Sequence, residues 1–139
     1  MTAPQHGTLT RTLVWAMRGL TLLAAVDGVT QAMFAGRFMS GSYRALDAHS
    51  INGAALAVGM LLLATVSTIA WRLANAPRWA ALMSWGLTVA CGVEVVLGHN
   101  AILAVHVPLG VLIVSGVLAL FVRVWRGPIV SAANPVGEQ

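Results

Sequence analysis

Four apolar stretches, at residues 12–35, 50–71, 79–97 and 101–122, alternate with short polar connections along the chain. At a rise of about 1.5 Å per residue, roughly 20 residues cross the hydrocarbon core of a bilayer, so each stretch is long enough to span it as a helix. The connections are residues 36–47, then 72–78 with Pro77, then 98–100. Connections this short force consecutive helices to run antiparallel. The pattern therefore predicts an all-α fold: an integral membrane up-down four-helix bundle forming one domain over residues 1–139, with polar, mobile tails at 1–10 and 127–139. The first stretch is longer than the apolar core of a secretory signal and carries Asp27 and Gln31, which makes it a retained helix.

Composition removes the soluble alternative. Apolar residues make up 58% of the chain and charged residues 9%, and the mean hydropathy is +0.83. A water-soluble domain of this size needs a polar exterior that this chain lacks. The net charge of +4 comes from arginine alone. Arg11, Arg18, Arg72, Arg78, Arg123 and Arg126 fall at one end of the bundle, whereas Arg37 and Arg44 fall at the other. The positive-inside bias then places both termini in the cytoplasm of a plasma (inner) membrane protein and argues against nucleic acid as a partner. Trp15, Trp71, Trp79 and Trp125 mark the same inner boundary, with Arg18 within snorkelling reach of it. The lone Cys91 permits no intrachain disulfide and reads as packing.

The chemistry is concentrated in the opposite, outer half. Asp27 and Gln31 share a face of the first helix, Glu94 lies at the matching level of the third, His49 and Asn52 open the second, His99 lies in the outer turn and His106 lies in the fourth. A carboxylate in hydrocarbon needs a partner, a proton or a water-filled cavity. In a purely structural reading, these groups hydrogen-bond one another and Glu94 pairs with Arg44 or His99. In a functional one, His49 and His106 enter from the same surface on two helices that stand diagonally across a square bundle. With neighbouring axes about 8–10 Å apart, that diagonal suits two inward histidines with a metal between them. Small residues, Gly53 and Gly110, follow each histidine by one turn. The expectation is a haem b with His49 and His106 as axial ligands. Its propionates would face Arg37, Arg44 and Tyr43, while Asp27, Gln31 and Glu94 support the imidazoles from behind.

The residues Gln31, Phe34-Ala35-Gly36, His49 with Asn52-Gly53, Glu94, and Leu103 and His106 with Pro108 resemble a group of small four-helix membrane proteins of actinobacteria. Residues 27–122 are more distantly similar to one four-helix half of the haem A synthase family. That resemblance implies histidine ligands early in the second and fourth helices, hence His49 and His106. In the synthase half, a glutamate stands three residues before the first of these histidines and an arginine follows it. Here the positions hold Leu46 and Ser50.

Electron transfer is the function that bis-histidine ligation favours, with quinone or an extracytoplasmic redox protein as partner, or a place among the membrane subunits of a larger redox complex. An alternative is a copper or zinc site built from His49, His99 and His106 with Asp27 or Glu94. A third is a structural or proton-coupled accessory subunit without cofactor. Methionines are scattered, and phosphate-binding loops, nucleophile–base pairs and zinc-protease patterns are missing.

Overall fold

The computed structural model describes residues 3–127, with side chains from residue 7 onward. Four helices follow one another: α1 (Ala3–Met39), α2 (Arg44–Ala74), α3 (Arg78–His99) and α4 (Leu103–Arg126). All four are long and apolar enough to cross a membrane. They stand in chain order round a square. α1 packs on α2 and α4, and α3 packs on the same two helices, while across either diagonal no Cα pair comes within 8 Å among the described residues. α1 and α3 run toward what we call the histidine end, and α2 and α4 run back from it toward the arginine end.

The turns are tighter than hydropathy suggests. The expected loop over residues 36–47 is helical at both edges, and only residues 40–43 connect α1 to α2. Gly41 takes the left-handed backbone there (φ 93°), and Ser42 N–H donates back to Arg37 O. Arg44 and Asp47 belong to the first turn of α2, where a carboxylate suits the positive pole of the helix. At the arginine end Asn75 caps α2 in the left-handed conformation (φ 53°), Ala76 N–H returns to Ala70 O, and Pro77 starts the next helix. The α3–α4 turn carries Ala101 at φ 54°. α3 keeps its helical bonding through His99, which the hydropathy pattern assigns to the turn. The expected N-terminal tail, residues 1–10, is helical from Ala3. The expected C-terminal tail lies outside the described residues beyond residue 127.

The core fills only one half of the bundle. Leu13, Met17, Thr21, Ala24 and Ala25 of α1 meet Leu56, Met60, Leu63 and Ser67 of α2, Ala80, Ala81, Ser84 and Cys91 of α3, and Ile113, Val117, Leu120 and Val124 of α4. Beyond the level of Gly28, Leu56, Cys91 and Ile113, Ala45 is the one fully buried position among the described residues. At the arginine end, Arg–Trp stacking closes the bundle. The Arg18 guanidinium lies 5.5 Å from the Trp15 ring and 5.7 Å from Trp125, Arg72 lies 4.5 Å from Trp71, and Arg123 lies 4.2 Å from Trp79.

Candidate cofactor site

Where the apolar core stops, a half-buried polar cluster takes over. α1 contributes Asp27 and Gln31, one turn apart; α2 contributes His49, Asn52 and Gly53; α3 contributes Glu94 and Gly98; and α4 contributes His106 and Gly110. His49 and His106 reach across the bundle diagonal until their ring centroids are 6.0 Å apart with planes at 80°.

Each ring is fixed from behind by the preceding helix. His49 Nδ1 lies 3.2 Å from the Gln31 backbone carbonyl, and His106 Nδ1 lies 3.2 Å from that of Glu94. A carbonyl only accepts, so in both rings the proton sits on Nδ1 and the lone pair on Nε2. This is the tautomer in which imidazole ligates a metal through Nε2, with the other nitrogen bound to a carbonyl or carboxylate.

The two halves differ in the side chain that accompanies the carbonyl. Gln31 Nε2 lies 3.3 Å from His49 Nε2. The amide orientation is set by Asn52, whose Nδ2 donates to Gln31 Oε1 at 2.9 Å and to the Asp27 backbone carbonyl at 3.1 Å, so the Gln31 amide turns its N–H toward the His49 lone pair. Glu94 instead places Oε1 3.0 Å from His106 Nδ1, with the two side chains 16% and 17% exposed. Glu94 Oε2 is buried without a hydrogen-bond partner among the described residues. His106 Nε2 has no hydrogen bond among the described residues.

Glycines give the cluster its closeness. A Cβ on Gly53 would fall 2.8 Å from Gln31 Nε2, one on Gly110 2.7 Å from Glu94 Oε1, and one on Gly98 2.9 Å from His106 Cε1. Gly98 escapes a reading based on the histidines alone. Its signal is that it stands one turn after Glu94 on the same face of α3.

The remaining candidates are not drawn in. His99 is exposed near the end of α3, and among the described residues no group of three or more His, Cys, Asp and Glu side chains is arranged to hold a metal ion. Arg37, Arg44 and Tyr43 lie exposed at the first connection, where Tyr43 meets Phe38 edge-on at 6.2 Å. Neither arginine forms an ion pair among the described residues, and Glu94 pairs with His106 in place of the expected Arg44 or His99. Asp27 is half-buried, and its backbone carbonyl accepts from the Asn52 amide.

Compared with protein-family models, curated proteins and solved structures, the chain matches none.

Proposed function

We propose that this chain is an integral membrane haem b protein in which His49 and His106 are the axial ligands, and that it serves electron transfer with quinone or a redox protein at the histidine end. The observation that carries the reading is the facing pair of imidazoles from diagonal helices, each with Nδ1 held on a backbone carbonyl. The ring centroids stand 6.0 Å apart, and His49 Nε2 is turned to the Gln31 amide, so ligation by His49 would require that amide to move. At this end of the bundle the described residues form no packed apolar core, so polar side chains surround the two histidines. When bound, the haem would supply one-electron chemistry, and two histidine ligands leave it no vacant position at rest.

The arginine end belongs to the cytoplasmic face in this reading, with both termini inside. Six arginines there, three of them stacked on tryptophans, suit an interface rich in anionic headgroups. A three-ligand copper or zinc site has less support, because His99 stands apart from the other two histidines.

The test is the reduced-minus-oxidised spectrum of protein purified from haem-replete cells, with elemental analysis of the same sample. Low-spin haem b bands that vanish in His49→Ala and in His106→Ala are expected. A colourless protein without iron would refute the cofactor and leave a membrane scaffold.

A further inference from the structure

The two helical hairpins repeat one unit: Gln31, His49 and Gly53 in the first, Glu94, His106 and Gly110 in the second. In each, the residue on the outgoing helix offers its backbone carbonyl to the histidine Nδ1 and packs its side-chain tip over the glycine one turn beyond that histidine. The repeat is broken at one position, where an amide stands in the first unit and a carboxylate in the second.

That break makes the two histidines unequal as ligands. Glu94 Oε1 lies 3.0 Å from His106 Nδ1, and a carboxylate that accepts there pushes electron density toward Nε2 and strengthens it as a donor. His106 Nε2 carries no competing hydrogen bond among the described residues. His49 has only neutral support, and its Nε2 already accepts from Gln31 Nε2 at 3.3 Å. The amide is held in that pose by Asn52. For His49 to ligate, Gln31 must give way, and once His49 releases a metal the same amide stands ready to satisfy it. Gly98 adds to the inequality by letting the His106 ring lie against the α3 backbone, where the corresponding residue of α1, one turn after Gln31, is Ala35.

Resting on the haem reading, we propose that His106 is the permanent ligand and His49 the exchangeable one, so that the site admits a small neutral ligand on the His49 side. In the exchange one coordination bond replaces another, and no electron or proton moves. His49 returns to the Gln31 amide when displaced. The site is then a ligand-binding centre as well as an electron carrier.

The experiment compares wild type, His49→Ala, His106→Ala, Glu94→Gln and Gln31→Ala in detergent. Haem stoichiometry and haem affinity are read first, and carbon monoxide binding to the dithionite-reduced protein second. His49→Ala should keep close to the wild-type haem content in a five-coordinate form and take up carbon monoxide faster than wild type. His106→Ala should lose the haem. Glu94→Gln, which replaces the carboxyl group by an amide of the same shape, should weaken haem binding 10- to 100-fold, the usual cost of losing a partner behind a metal-bound histidine. Gln31→Ala should tighten it, because the amide that competes for His49 Nε2 is gone. Equal loss in the two histidine variants, or a Glu94→Gln protein that holds haem as tightly as wild type, would overturn the inequality and leave the haem reading standing. A wild type that carries no haem would overturn both. Should His106→Ala fail to fold, the Glu94→Gln and Gln31→Ala pair still decides between them.

Discussion

At the residue scale, the cluster is organised by which side chain of α1 reaches α2. Asp27 and Gln31 lie one turn apart on one face, and both levels are compatible with a partner across the helix pair. Gln31 is the residue that touches His49, and Asn52 ties it in place while also bonding the Asp27 carbonyl. Replacing Asn52 by alanine leaves Gln31 Oε1 without a donor. Interhelical side-chain bonds in membrane proteins average about 0.6 kcal/mol and reach about 1.7, so Asn52→Ala should destabilise the protein by about 1 kcal/mol, measured by denaturant unfolding in detergent. No change would show that the network is dispensable. The sequence announces the histidines, Gly53, Gly110 and Glu94 through their spacing. It does not announce that Gln31, and not Asp27, is the counterpart of Glu94, because that depends on the rotation of α1 against α2. Helix rotation is set by packing along the whole interface, where α1 buries Met17, Thr21 and Ala24 and α2 buries Leu56, Met60 and Leu63.

At the scale of elements, hydropathy locates the four helices and misplaces their ends. It registers where apolar composition stops, whereas a helix stops where its last carbonyls find other partners. Arg44, Asp47 and His49 are polar yet helix-compatible, so α2 begins before its apolar stretch. His99 likewise completes α3. The true stops are the left-handed positions Gly41, Asn75 and Ala101. Glycine and asparagine suit that conformation, and alanine does not. Ala101→Gly should therefore stabilise the protein by about 1 kcal/mol, since the native backbone there is one glycine adopts without steric cost. The check is an increase in the midpoint of thermal or denaturant unfolding. A decrease would mean that the turn gains more from the alanine side chain than it loses to its backbone.

For the whole molecule, one half is packed and the other is polar. Hydrophobic side chains interdigitate from the arginine end up to Gly28, Leu56, Cys91 and Ile113, and above that level the helices enclose half-buried polar groups. Such a division gives a rigid base and a site on top of it, the arrangement in which bundle proteins hold cofactors between facing helices. The proposed topology puts that base toward the cytoplasm. In intact cells, a cysteine introduced as Tyr43→Cys should react with an impermeant maleimide, and one introduced as Asn75→Cys should react only after lysis. Cys91, 4% exposed, should stay silent in both. The reverse labelling pattern would invert the topology and place the histidines at the cytoplasmic face. The most direct test of the central claim is electron paramagnetic resonance of the oxidised, purified protein at low temperature, because it reads the ligand planes themselves. With imidazole planes at 80°, the account predicts the highly anisotropic low-spin ferric signal of nearly perpendicular axial histidines. A sample with no low-spin ferric haem signal, or one with the rhombic signal of parallel rings, would contradict it.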